Sequence, residues 1–411
     1  GEDPALLIVA PEIPSVGYRL LWLVPTDSPP QCQPMPDDWT LENQYLRASI
    51  DPATGNIASL FDKRTGQETL SAPGNQLQAF RDQGQYWDAW NIAPDYQAHP
   101  LANFQLQQME WLENGPCRRS LRVVRTFGQS TVVQEYRLDT QSPYLVIHTR
   151  VDWQETQVLL KAAFPLTVRA PYATYEIPFG AIQRSTTAET SQAQAKWEVP
   201  ALRWADLSQS DHGVSILTDY KHGFDATPNQ LRLTLLKAPL WPDLGADRGV
   251  QTFTYAIYPH AGGWQAAKTV QMARNLNLPI QPCLLPPNPA SQTSVQATAT
   301  ASYLDLGNTT LVLSAFKLAE DRENTFILRG YESTGESGTM AFNSSLPIRI
   351  AELVDGLERS TLKLPDSQGL STNLPITPWQ VISLAISLDS IELTPPLLPG
   401  FSCRVEQFFS H

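Results

Sequence analysis

Residues 144–153 alternate with period two. Leu145, Ile147, Thr149 and Val151 fall on one side of an extended backbone, and His148, Arg150 and Asp152 on the other. Similar short runs recur at 121–127, 131–138, 231–236, 252–258, 311–316 and 381–388. Turn-forming strings separate them: Pro52-Ala53-Thr54-Gly55-Asn56, Asn114-Gly115-Pro116 and Asp211-His212-Gly213. The chain has 34 prolines against 22 glycines, which gives many fixed turns and little room for long helices. Short strands with dense turns fold as antiparallel sheets in sandwiches, not as an α/β barrel. The expected class is therefore all-β with few helices. One window reads as helical, where Trp264, Ala267, Val270 and Ala273 repeat every third residue after Gly262-Gly263.

At 411 residues the chain is too long for one ordinary core. Residues 25–38 carry five prolines and few apolar residues, a linker composition. Residues 279–294 are Pro-rich and then Ser/Gln/Thr-rich, a second linker. The expected domains are 1–36, opening strands and linker of a small β-domain; 37–278, a large sandwich; 279–299, a linker; and 300–411, a C-terminal β-sandwich and tail. The opening is apolar at 6–9 and 18–24 and reads as two strands. Two strands make no core alone, so they are expected to join a sheet on or beside the smaller sandwich. The start, Gly1-Glu2-Asp3-Pro4, lacks Met and a basic region, and reads as a cut chain rather than a signal peptide. No internal repeat of fixed period is present.

Composition narrows the partners. Lys and Arg total 29 and Asp and Glu 41, a formal charge of −12. Such a chain repels nucleic acid and anionic lipid, so neither nucleic acid nor membrane is an expected partner. No apolar run approaches the ~20 residues that span a bilayer. Cys32, Cys117, Cys283 and Cys403 lie far apart with no Cys-x-x-Cys. Their plain reading is four thiols, buried or free, rather than a disulfide framework or a thiolate metal site. None of the six histidines forms a His-Glu-x-x-His, His-x-His or His-x-Asp string, so no metal site is expected in this chain. Gly-x-Ser-x-Gly, P-loop and dinucleotide strings are absent too, which weakens hydrolase-triad, kinase and dehydrogenase readings.

Three strings stand out. Gly84-Gln85-Tyr86-Trp87-Asp88-Ala89-Trp90-Asn91 sets a carboxylate between two indoles. An indole suits the apolar face of a sugar and a carboxylate its hydroxyl rim. The bland alternative is a core aromatic cluster with Asp88 capping a turn. Pro239-Leu240-Trp241-Pro242-Asp243 with Ala246-Asp247-Arg248-Gly249 puts an arginine on a bounded loop, where it can fork onto hydroxyls or a carboxylate. Its bland alternative is a surface pair of Arg248 with Asp247 or Asp243. Asp219-Tyr220-Lys221-His222-Gly223-Phe224 is a polar turn, blandly a hairpin corner.

Together the strings resemble one family. Leu41-Glu42-Asn43, Asp51 through Ile57 and Phe61-Asp62-Lys63-Arg64-Thr65-Gly66 look like the start of the C-terminal region of glycoside hydrolase family 38 α-mannosidases. Tyr86-Trp87-Asp88-Ala89-Trp90 is similar to a string of the family's bacterial and cytosolic branch. Trp204-Ala205-Asp206-Leu207-Ser208, Asp219-Tyr220-Lys221-His222-Gly223, Leu233-Thr234-Leu235-Leu236-Lys237, Asp247-Arg248-Gly249 and Tyr258-Pro259-His260 follow in the family's order. Leu328-Arg329-Gly330-Tyr331-Glu332 and Thr377-Pro378-Trp379-Gln380-Val381 resemble its small terminal β-domain.

The resemblance implies a retaining, zinc-dependent α-mannosidase acting on terminal α-D-mannosyl residues. It implies three parts: a catalytic barrel with the zinc and nucleophile, a helical bundle, and the β-rich region, of which only the last is here. It implies a galactose-mutarotase-like supersandwich for the large domain, packed on the barrel of the same protein and lending side chains to the pocket of a mannose-containing oligosaccharide. The implied substrate-binding residues are Tyr86, Trp87, Asp88, Asp247 and Arg248; no catalytic residue or metal ligand is implied in this chain. Asn91 stands where relatives commonly carry Asp, which removes a carboxylate there. The implied compartment is cytoplasmic. Two other readings stay open. One is a free-standing carbohydrate-binding module using the Trp-Asp-Trp surface. The other is a mutarotase-like sugar epimerase, which needs a His and a Glu facing one ring, drawn from His148, His222 and Glu176.

Overall fold

The computed structural model describes residues 7–10, 13–14, 16–24, 33–84, 86–283, 299–307, 310–344, 348–364 and 372–388. The chain divides into two compact units, one of residues 1–11 and 23–294, the other of 12–22 and 295–411. Both are built almost wholly of antiparallel strands.

The large unit is a sandwich. One layer is a nine-stranded sheet in the order Gly180–Ser185, Tyr172–Ile177, Trp204–Ser208, His212–Thr218, Gly249–Ala261, Leu145–Trp153, Ser130–Asp139, Arg118–Phe127, Gln105–Asn114. The other layer is two smaller sheets. One runs Val199–Pro200, Gly223–Thr227, Gln230–Leu236, Val158–Pro165, Gln76–Arg81; the other runs Thr40–Glu42, Leu46–Ile50, Ile57–Asp62, Gln67–Glu68. Single bridges Ile57–Gly74 and Leu70–Leu166 tie the two smaller sheets together.

The expected alternation is what builds the core. Leu145, Ile147, Thr149 and Val151 are all fully buried, while Arg150 on the opposite face is exposed. One core joins inward side chains of all three sheets, including Leu46, Leu60, Val123, Tyr136, Phe164 and Ile257. Several buried polar groups inside it are paired, although the indole N–H of the core residue Trp153 has no partner among the described residues. The buried Arg125 guanidinium donates to Thr54 O at 2.9 Å and Gln134 Oε1 at 2.6 Å, and so pins the 51–56 turn from beneath. The helical window forms as Thr269–Asn277, with Val270 and Ala273 buried. Lys268 just before it is left-handed at φ 54°, so the helix starts there, and Trp264 and Ala267 lie in the preceding turns.

The small unit pairs a five-stranded sheet, Leu311–Leu318, Thr325–Glu332, Val381–Leu388, Ile348–Val354, Ser360–Lys363, with a two-stranded one, Gly338–Phe342 and Thr372–Ile376. Leu304, Leu328, Met340, Phe342 and Leu384 are among its core residues. The two terminal family strings meet here. The Glu332 carboxylate accepts the N–H groups of Thr334, Gly335 and Trp379 at 2.8, 2.7 and 3.1 Å. Gly335 has φ 81°, and a Cβ there would lie 2.5 Å from the Trp379 ring, so the turn requires glycine.

The opening differs from the two expected strands. Gly17–Arg19 pairs with Thr300–Ser302 of the small unit. Residues 7–10 join no ladder, and Leu21–Val24 carry no strand although apolar. Apolar content alone made that expectation, without the alternation that marks a real ladder. Cys32, Cys403, residues 284–298 of the second linker and the 389–411 tail lie outside the described residues. Cys117 and Cys283 are free thiols.

Candidate functional site

The segment 82–99 leaves the edge strand Gln76–Arg81 and folds back over it, with Arg81 N–H on His99 O at 2.9 Å. Its far half is anchored by Tyr96, fully buried and edge-on to Phe80 at 5.1 Å. Its near half carries the Trp-Asp-Trp string as a single 3₁₀ turn, Asp88–Trp90. Tyr86, Trp87 and Trp90 are 73%, 66% and 69% exposed, far outside the range of core aromatics.

Asp88 points the other way and is 9% exposed. Its Oδ2 accepts the Leu240 N–H at 2.7 Å, and its Oδ1 lies 3.2 Å from Lys237 Nζ. Lys237 Nζ also stands 2.7 Å from Oδ2 of the fully buried Asp82, an ionic contact rather than an aligned hydrogen bond. Asp82 Oδ1 accepts the Ala93 N–H at 2.8 Å. Burial pushes the Asp88 carboxyl up, but the Leu240 N–H, the Lys237 ammonium and the Trp241 N–H outweigh it and hold it below the usual range. Asp88 is thus the strut that fastens the first string to the second.

The second string closes over that strut. Trp241 O accepts the Ala89 N–H at 3.0 Å. The Trp241 ring stands 5.4 Å from Trp87 and 5.6 Å from Trp90, with Trp87 and Trp90 6.5 Å apart. Trp87, Trp90 and Asn91 line a shallow hollow at this cluster. Asp247 Oδ2 accepts the N–H groups of Lys237 and Ala238 at 3.1 and 3.0 Å, fixing the loop where it leaves the strand Gln230–Leu236. The bland pairing of Arg248 does not form: Asp247 binds backbone, Asp243 accepts the Gly245 N–H at 2.8 Å, and Arg248 is exposed. Trp87, Ala238 and Asp247 all take positive φ, 56°, 50° and 60°. Such backbone is costly outside glycine and gathers where function over-determines it.

The third string adjoins the second. Gln251 Nε2 donates to Asp247 O at 2.8 Å, and its Oε1 accepts Lys221 Nζ at 3.1 Å. All three strings singled out in the sequence thus meet around the 237–251 segment. Of the sequence-predicted residues, Tyr86, Trp87 and Arg248 are open to solvent, and Asp88 and Asp247 are turned into the scaffold. Trp90 and Trp241 were not singled out, although both stood in the quoted strings. Asp82 and Gln251 carried no local signal, and Lys237 stood at the end of a quoted family string without a role assigned to it.

Other polar clusters are closed. Lys161, fully buried, pairs with Asp225 Oδ2 at 2.7 Å and with Glu198, while Arg232 Nε meets Asp225 Oδ1 at 2.7 Å. Tyr96 Oη completes that set, accepting from Arg232 Nη2 at 2.9 Å. His260 Nε2 faces both Asp206 Oδ2, at 2.9 Å, and Ser215 Oγ, at 3.1 Å. A relay triad needs the acid and the hydroxyl on opposite ring nitrogens, so this is a buried structural network. His148 bonds Thr254 Oγ1 on the nine-stranded sheet, His222 faces Ala201 O and Leu202 O, and Glu176 pairs with Arg203. Glu176, 3% exposed, is closed by Arg203, so the carboxylate that a mutarotase-like reading needs is not free. Among the described residues no three His, Cys, Asp or Glu side chains are placed to hold a metal ion, so those residues do not fit a zinc site.

Comparison with known proteins agrees with this layout. The family description "Glycosyl hydrolases family 38 C-terminal domain" matches residues 41–244, and "Glycosyl hydrolases family 38 C-terminal beta sandwich domain" matches 310–384. The chain belongs to glycoside hydrolase family 38, as its C-terminal region. It is 36% identical over 401 residues to the Alpha-mannosidase 2C1 of Mus musculus, covering 92% of this chain and 37% of that protein. It is 32% identical over 355 residues to Alpha-mannosidase G of Dictyostelium discoideum, covering 84% and 32%. The chain thus spans about a third of the length of the curated relatives it matches. A crystal structure of an alpha-mannosidase from Enterococcus faecalis V583 shares the fold, with a TM-score of 0.70 at 14% identity over 86% of this chain and 42% of that one.

Proposed function

We propose that this chain is the pocket-completing C-terminal region of a retaining α-mannosidase that hydrolyses terminal α-D-mannosyl residues. The observation that carries the reading is the convergence of three family strings on one corner, where aromatic faces and an arginine with no acid partner among the described residues are open while the carboxylates beside them are engaged. Tyr86 and Trp87, with Trp90 and Trp241, offer faces for the apolar side of a sugar. Arg248 offers charged donors for its hydroxyls. Asp88 and Asp247 hold those groups in place rather than touching sugar. The partner is a mannose-containing oligosaccharide, bound jointly with the catalytic barrel and helical domain that the resemblance implies. Zinc and the nucleophile belong to that barrel, and the compartment is the cytoplasm.

Retaining hydrolysis needs two carboxyl groups about 5–5.5 Å apart across the scissile bond. Neither Asp88 nor Asp247 is free for that work, so the chain alone is inactive on an aryl α-mannoside and binds no stoichiometric zinc. In the full-length protein, Arg248→Ala lowers kcat/KM roughly 10- to 100-fold, since charged hydrogen bonds are worth about 1.5–3 kcal/mol. The melting temperature stays put, as an exposed loop residue costs under about 0.5 kcal/mol. Unchanged kcat/KM, or chelator-sensitive turnover by the isolated chain, defeats the reading.

A further inference from the structure

The pocket described above makes no use of Lys221, yet its setting is unusual for a lysine at a turn. Its backbone N–H is fixed on Thr218 Oγ1 at 3.2 Å. Its ammonium sits over two ring faces, 4.5 Å from the centre of Phe253 and 4.9 Å from that of Tyr220. Tyr220 is itself held, its hydroxyl donating to Thr252 O at 2.7 Å. The group is therefore seated on aromatic faces rather than waving in solvent.

The neighbouring carboxylates do not neutralise it. Asp219 accepts the N–H groups of Tyr220 and Thr254, both at 2.7 Å. Asp247 accepts those of Lys237 and Ala238. Among the described residues Lys221 forms no ion pair, and its one hydrogen-bond partner is Gln251 Oε1. An ammonium has three donors, so two are left for something else. Burial pushes its pKa down against the pull of Asp247 and Asp219, the mark of a partly desolvated cation short of acceptors. The Gln251 side chain that takes this ammonium also holds Asp247 O, beside Arg248. Two cations without acid partners among the described residues thus flank one loop of a chain whose formal charge is −12.

We propose that Lys221 is a second cationic contact of the sugar site, its two remaining N–H donors binding hydroxyl or ether oxygens of the saccharide that Arg248 also contacts. This rests on the pocket reading above. It adds a residue that selects the saccharide through binding, not through the chemical step. The competing account is a buttress that keeps Tyr220 and Phe253 in place.

The test measures kcat, KM and melting temperature on an α-linked mannose disaccharide, for full-length protein carrying Lys221→Met, Lys221→Arg or Arg248→Ala. Methionine keeps the stem over Phe253 and removes the donors. Arginine keeps the charge, the donors and the stacking. Lys221→Met is expected to raise KM about five- to tenfold with kcat within about twofold, since the lost contact serves bound substrate and transition state alike. Lys221→Arg is expected to recover most of that loss, with all melting temperatures unchanged. If Arg248→Ala costs activity and Lys221→Met leaves KM alone, this proposal falls and the pocket reading stands. If neither substitution changes kcat/KM, both fall. A loss in Lys221→Met that arginine does not rescue, or that tracks a lower melting temperature, makes Lys221 a buttress and overturns the proposal.

Discussion

Two clusters of lysine and carboxylate are built on the same five-stranded sheet, and they are finished differently. Around Lys161 every charge meets another inside the cluster: Glu198 and Asp225 on the ammonium, Arg232 on Asp225, Tyr96 between them. Lys161 and Thr234 are cross-strand partners, as are Asp225 and Arg232, so ladder geometry itself sets the pairs. Around Lys237 the strand has ended, and the chain leaves through Ala238 at φ 50°. There Asp82 and Asp88 share one ammonium, and the groups just beyond it, Trp87, Trp90, Trp241 and Arg248, face outward. A closed network rigidifies and has nothing left to bind with. The open one fixes its carboxylates and leaves aromatic faces and donors for a ligand. The first also serves the second, because Tyr96 fastens the segment that carries Trp87 and Trp90.

The contrast breaks most visibly on removing each lysine. Lys161→Met leaves Glu198 and Asp225 without their shared cation, and losing one partner of a buried pair costs about 3–5 kcal/mol. Lys237→Met costs about 2–3 kcal/mol, because Asp82 and Asp88 each keep a backbone N–H donor. Tryptophan emission separates the two further. Before global unfolding it shifts in Lys237→Met, whose loss frees the Trp87–Trp241 contact, and stays unchanged in Lys161→Met. Denaturant midpoints in the reverse order would mean that the open corner, not the closed cluster, carries the sheet's stability.

The same contrast explains what the sequence shows and hides. The strand Leu145–Trp153 is legible because one face meets the core and the other water. Val158–Pro165 is not, since seven of its eight residues are buried and no alternation remains. The three site strings are legible as local density of Trp, Asp and Arg. Which way each side chain turns is not, because the deciding partners are remote: Asp88 is fixed by Lys237 and Leu240, about 150 residues on. A carboxylate between two tryptophans reads as a sugar contact until a distant lysine claims it. The opening residues err in the opposite direction, since an apolar run without alternation says little about pairing.

The smallest effect separates the clusters by pH. Asp88 is held below the usual carboxyl range, so its folded form favours the anion. A lowered pKa gives stability that is present above the unfolded value, 3.8, and lost as pH falls through the folded value. Tyr96 has the opposite sign. Burial, aided by Asp225 and opposed by Lys161 and Arg232, pushes its hydroxyl up to about 12. Folding then favours the neutral phenol, with stability intact below pH 10 and lost as pH rises toward about 12. The open corner therefore loosens in acid and the closed cluster in alkali. Asp88→Asn tests this. The amide oxygen still accepts the Leu240 N–H, and Lys237 keeps Asp82, so only the charge is lost, at about 1 kcal/mol near neutrality. The variant's melting temperature is expected to fall less than the parent's between pH 5 and pH 3, and to follow the parent's between pH 9 and pH 11. An unchanged acid limb would show that Asp88 does not feel Lys237 as an ion pair, and the strut between the first two strings would then rest on the Leu240 hydrogen bond alone.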